Sequence, residues 1–146
     1  SIGLAEMLPK GRKQFPKGRK ERAMNQTEQA LPHNHNEDAD ILTIANGLNR
    51  IDKFETAAYI FKQLGDASRV RLFWLLCHCE ECVINLSAML EMSSPAVSHH
   101  LRLLKNSGLV VSRRDGKEVY YRAADTEQSQ LLHKTIEKVI EISCQD

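Results

Sequence analysis

The chain has 146 residues, 42% of them hydrophobic and 27% charged, the mixture of an ordinary globular protein about one domain long. That balance excludes a fibrous or wholly disordered chain, and no apolar run approaches the ~18 residues of a membrane span. The net charge of +1 conceals an asymmetry, because residues 1–23 hold seven Lys/Arg against two acids and the remainder thirteen against seventeen.

The first 37 residues read as a basic and polar disordered arm. They carry Pro9, Gly11, Pro16 and Gly18 without apolar periodicity. Two origins fit this arm: a DNA-contacting extension, or a segment upstream of a natural start at Met24. The opening residues have no apolar stretch followed by a small-residue cleavage site, so a cytoplasmic setting without a secretory signal is expected.

A winged-helix domain is expected over residues 38–146. From Asp38 the apolar residues fall at helical spacing, first Ile41, Ile44, Ala45 and Leu48, then Phe54, Ala57, Ala58, Phe61 and Leu64, as in core-facing helices. After Gly65-Asp66 a third helix carries Val70, Phe73, Leu76 and Cys77 on one side and ends near the cysteines. A short helix follows at about Leu86–Glu91. Ser93-Ser94-Pro95 then gives a serine N-cap with proline at the first helical position, and Gly108 stops that helix after Ser107. LVVSRR and KEVYYRA alternate as strands around Asp115-Gly116, a strong hairpin signal. Leu132, Ile136, Val139 and Ile140 restore a helical stripe to the C-terminus. The fold class is therefore mainly α with a β-hairpin wing, a winged helix-turn-helix.

On a wheel of 100° per residue, Val97, Leu101 and Leu104 fall on one side of the helix over residues 95–107. Ser98, Arg102 and Lys105 fall on the other, with His99 beside them. A helix entering the major groove needs this division between an apolar back and an outer face of hydrogen-bond donors. Arg102 suits a guanine, Ser94 and Ser98 a base edge or phosphate, and Lys105 a phosphate. Arg113, Arg114 and Lys117 surround the hairpin tip, where they can follow the DNA backbone. Residues 92–122 hold six Lys/Arg and two acids within an otherwise acidic body. Double-stranded DNA is the expected partner, and an enzyme is not expected.

These motifs carry a resemblance. LGDASRVRL, SPAVSHHLRLLKNSGLV and RRDGKEVYYR closely resemble the ArsR/SmtB family of metal-responsive bacterial repressors, strongly over residues 54–124. The resemblance implies a homodimer joined through its first and last helices. It also implies operator binding in the metal-free state and release when an inducer binds. Ile136 and Val139 are then expected across the dimer interface.

Cys77, Cys79 and Cys82 lie within the run CHCEEC. Thiolates are soft donors suited to Cd, Zn, Pb, Cu(I) and As(III), so a heavy-metal ion is the expected inducer and no organic cofactor is implied. On an unbroken helix Cys79 and Cys82 stand about 60° apart with Cys77 facing away, so all three meet only if the helix ends near Cys79. In thiol-sensing members of the family a CxC pair precedes the helix-turn-helix. Here Cys82 holds its first position and Ile84 its second. Some members complete the thiolate set from the N-terminal region of the other subunit, a part His33 and His35 could take. The family's last-helix pattern, Asp-x-His…His-x-x-Glu, falls on Asp125, Glu127, Lys138 and Glu141. Lysine is a cation where a ligand is needed, which leaves a degenerate set of Asp125, His133, Glu137 or Glu141. Cys144 is a minor candidate, and His99 and His100 fit DNA contact or packing better than metal. A redox- or sulfide-sensing repressor using the same thiols is the alternative reading.

Overall fold

The computed structural model describes residues 31–33, 35 and 40–143. The basic segment 1–23, Met24 and Cys144 lie outside the described residues. Six helices and three strands follow in the order α1 (Ile41–Leu48), α2 (Ile51–Gln63), α3 (Ala67–His78), β1 (Glu81–Cys82), α4 (Val83–Leu90), α5 (Ser94–Asn106), β2 (Val110–Asp115), β3 (Glu118–Ala123) and α6 (Glu127–Ser143). No helix among the described residues is long and apolar enough to cross a membrane.

Local chemistry sets these boundaries. Asp66 caps α3 by accepting the Arg69 backbone N–H at 3.0 Å, and that bond holds its carboxyl below the usual aspartate range. The stabilisation is present above the ordinary aspartate range and fades as pH falls through the depressed value. Ser93 caps α5 by accepting the Ala96 N–H at 3.3 Å. Ser94 takes the first helical position and Pro95 the second, one place later than the sequence pattern suggests. Past the other end, Gly108 adopts φ 78°, while Leu109 N–H bonds to Leu104 C=O at 3.1 Å. This left-handed cap closes the orphan carbonyls of α5 and drops Leu109 into the core.

The core comprises Ile60 of α2, Leu72, Phe73 and Leu76 of α3, Leu86 and Leu90 of α4, Val97, Leu101 and Leu104 of α5, and Leu109 with Val110. Leu132 and Ile136 of α6 pack against it from outside. The α5 helix is thus held by its whole apolar back, as its periodicity requires.

Further features depart from the sequence reading. Most of the stripe on α1 and α2 stays out of this chain's core: no α1 residue is buried, α2 contributes Ile60 with Leu64 packed beside it, and Ile44, Leu48, Phe54 and Phe61 are exposed, Phe61 at 63%. Helical periodicity reports that a face is shielded, without specifying which chain shields it. Ile136 likewise packs on its own core, while Leu131, Val139 and Ile140 stand exposed on α6. In the hairpin, Asp115 pairs with Glu118, so the two-residue turn is Gly116-Lys117. Gly116 supplies the positive φ of 61° at its first position.

The sequence pattern contains no sign of β1. It pairs antiparallel with β3, Glu81 opposite Tyr121 and Cys82 opposite Tyr120, giving the sheet order β1-β3-β2. A two-residue strand has no alternation to read, yet this pairing stitches the cysteine segment to the wing.

Candidate nucleic-acid interface and ligand cluster

The outer face of α5 carries Ser98, His99, Arg102 and Lys105, all exposed. Arg102 Nη2 lies 3.1 Å from His99 Nδ1, so neighbouring turns of the helix present these two side chains together. Lys105 Nζ donates to Ser112 Oγ at 2.7 Å, which links the helix to the base of the wing. At the helix start, Ser94 Oγ lies 3.1 Å from Ser87 Oγ of α4, coupling the two helices of the helix-turn-helix. His100 turns inward, its Nδ1 3.3 Å from Arg69 Nη1 of α3. Burial holds its imidazole below the usual histidine range, so His100 serves packing.

The wing's basic residues divide into two kinds. Arg114 and Lys117 are exposed at the tip, with Arg114 Nε donating to Gly116 C=O at 3.3 Å. Arg113 points elsewhere: its Nη2 lies 2.6 Å from Glu80 Oε1 and its guanidinium 4.9 Å from the centre of the Tyr120 ring. Arg122 Nε approaches the other Glu80 oxygen at 3.8 Å. Glu80 therefore ties the α3–β1 junction to both wing strands, and Arg113 is committed to that tie.

The cysteines sit at this junction. α3 ends at His78, and Cys79 is extended, with φ −151° and ψ 164°. Its Sγ–H donates to Leu75 C=O at 3.5 Å. Cys82 takes the N-cap position of α4. Cys77 packs against the core, where burial, and to a lesser extent the charge of Glu137, pushes its thiol up to about 11. Burial also raises Cys79, with Glu81 adding to the shift. Both are therefore neutral thiols near neutral pH and must lose a proton to ligate a metal. All three are free thiols. Their donor chemistry fits a soft ion, but they are not gathered as a set.

The donors that do gather are different. Among the described residues, the group of three metal-competent side chains is His78, His133 and Glu137, whose ligand atoms all lie within 4.8 Å of one another. His133 Nε2 lies 2.8 Å from Glu137 Oε1 and 3.2 Å from His78 Nε2. Trp74 Nε1 donates to the same Glu137 oxygen at 3.2 Å, and its ring sits 4.5 Å from that of His78. The indole N–H, followed by His133, holds the Glu137 carboxyl below the usual range. Beside the cluster lies an open groove of about 420 Å³, lined by Cys77, Cys79, Asp125 and both histidines among others. Sequence periodicity reveals the i, i+4 pairs Trp74/His78 and His133/Glu137. The missing information was that α3 and α6 pack together.

The other ligand candidates do not join this cluster. His33 and His35 are exposed and stack on each other at 5.6 Å. Asp125 accepts from Gln130 Nε2 at 3.2 Å, and Glu141 accepts from Lys138 Nζ at 3.2 Å. Lys138 thus occupies a surface pair where the family pattern has a histidine.

Residues 66–112 match the arsR family of bacterial regulatory proteins. The chain is 38% identical over 91 residues to a transcriptional repressor SmtB homolog of Synechocystis, a match covering 62% of this chain and 69% of that protein. It is 42% identical over 78 residues to a cadmium resistance regulatory protein CadC homolog of Staphylococcus aureus, covering 53% and 64%. A solution structure from Mycobacterium bovis, described as a homodimeric winged helix-turn-helix DNA-binding domain, superposes with a TM-score of 0.58 at 28% identity, covering 63% of this chain and 84% of that one. The chain belongs to the ArsR/SmtB family of DNA-binding transcriptional regulators, which are not enzymes.

Proposed function

We propose that this chain is a homodimeric repressor that binds operator DNA through α5 and the wing tip and releases it in response to a heavy metal or metalloid. Ser94, Ser98, His99, Arg102 and Lys105 read or position the major groove, and Arg114 and Lys117 follow the backbone beside it. The observation that carries this reading is the division of α5, with Val97, Leu101 and Leu104 almost fully buried and an exposed face of donors opposite. The dimer is supported by the exposed apolar residues of α1, α2 and α6 and by the homodimeric relative.

The inducing site is assigned to Cys79 and Cys82, with Cys77 as a third donor after it leaves the core. A bound Cd(II), Zn(II), Pb(II) or As(III) supplies soft-acid coordination that thiolates satisfy. Cys79 ends α3 and Cys82 begins α4, so drawing them together moves the helix-turn-helix relative to the core helix. Glu80 lies between them and carries Arg113, which passes the displacement into the wing. Release then requires only a preference for the low-affinity conformation, typically ~1–3 kcal/mol of coupling.

Enrichment of a random duplex pool on the reduced, metal-free protein tests the DNA half of this proposal. The expected product is a palindrome whose half-sites are centred about 10–10.5 base pairs apart, or a multiple of that spacing. Failure to enrich any duplex over the starting pool would contradict it.

A further inference from the structure

We infer that His78, His133 and Glu137 form a second metal site, built within one subunit from nitrogen and oxygen donors, that takes a borderline divalent ion such as Zn(II), Co(II) or Ni(II). The inference goes beyond the thiolate reading and does not rest on it. Imidazole and carboxylate favour this class of ion, whereas Cd(II), Pb(II) and As(III) favour the cysteines.

The geometry carries the assignment. A tetrahedral ion with bonds of about 2.0–2.1 Å requires its ligand atoms about 3.3 Å apart. The three donor pairs here are separated by 2.8 Å for His133 Nε2 and Glu137 Oε1, 3.2 Å for the two Nε2 atoms and 3.4 Å for His78 Nε2 and Glu137 Oε1. They already describe one face of such a polyhedron, so binding needs side-chain adjustments of a few tenths of an ångström.

The support around these donors also matches a metal site. Ligating carboxylates are held by a neighbouring donor, and Trp74 Nε1 fulfils that role at 3.2 Å from Glu137 Oε1. The two helices bring different parts: Trp74 and His78 stand one turn apart at the end of α3, His133 and Glu137 one turn apart on α6. The α6 pattern implied by the family resemblance uses other positions, of which Lys138 and Glu141 are paired with each other. Three protein ligands leave a fourth position for water or for a group from the adjoining groove, which Cys77, Cys79 and Asp125 help to line. The site clamps the end of α3 to α6, two residues before the Glu80 tie to the wing.

Titration of the reduced full chain with Co(II), followed by visible absorption, tests the site directly and independently of operator binding. The expected parent spectrum has ligand-field bands of a low-coordinate ion. His133→Asn and Glu137→Gln should each weaken Co(II) binding at least tenfold; Glu137 is exposed and His133 half-buried, and neither belongs to the core cluster. A variant with Cys77, Cys79 and Cys82 all replaced by serine should still bind Co(II). If that variant is also weakened while the histidine and glutamate variants are weakened too, a thiolate occupies the fourth position and the three-donor site stands. Failure of the parent to bind Co(II), or parent-like binding by His133→Asn and Glu137→Gln, would overturn the assignment.

Discussion

Ile140→Asp is expected to leave a folded chain that no longer dimerises, with operator affinity reduced about 10²–10⁴-fold. Ile140 is 47% exposed on α6, so aspartate there is solvated in the monomer. Buried in a subunit interface, the same carboxylate has no partner and must be desolvated. The loss on DNA follows because two tethered reading heads gain an effective concentration that separate heads lack. Sedimentation and operator titration on the same preparation check both parts. An intact dimer would show that α6 does not face the partner subunit at this position. Ile136 is the poorer probe because it packs against its own core, where a charge would harm folding as well as association.

Arg102→Ala and Arg114→Ala should separate base reading from backbone positioning. Arg102 is exposed on the outer face of α5, and loss of a bidentate guanine contact costs about 1–3 kcal/mol of sequence discrimination. Arg114 lies exposed at the wing tip. Its loss should weaken all duplexes alike and reduce the salt slope by about one counterion. Affinities for the selected duplex and a scrambled one, over a salt series, distinguish these outcomes. Arg113→Ala should instead act through Glu80, since Glu80 is its ion-pair partner at 2.6 Å. Equal discrimination by the parent and Arg102→Ala would remove Arg102 from the reading face.

How far the fold could be read in advance depended on the range of the signal. The α5 helix was legible because its cap, apolar period and glycine stop all lie within residues 93–108. The hairpin was legible to within one residue, since Gly116 marks the turn but does not identify which neighbour shares it. β1 was hidden because two residues cannot display a period. The stripes of α1 and α2 were visible, but periodicity alone could not distinguish the chain's own core from a partner's surface. The ligand cluster required still longer-range information. His78 and His133 are 55 positions apart, and only the packing of α3 against α6 brings them together. The reverse holds for CHCEEC: its closeness in sequence suggested convergence, whereas Cys77 faces the core and Cys79 and Cys82 occupy the ends of different helices.

In the proposed switch, the thiols at the α3–α4 junction control the grip of α5 and the wing on DNA. It is tested most directly by the operator affinity of the reduced protein with and without stoichiometric Cd(II) or As(III), measured alongside Cys79→Ser/Cys82→Ser. The parent should lose 5–150-fold in affinity when the inducer is added, the range given by ~1–3 kcal/mol of coupling. The variant should bind the same duplex as tightly as the parent and keep that grip in the presence of inducer. Release of the variant to the same extent as the parent would contradict the thiol switch and move the control of DNA binding away from the cysteines.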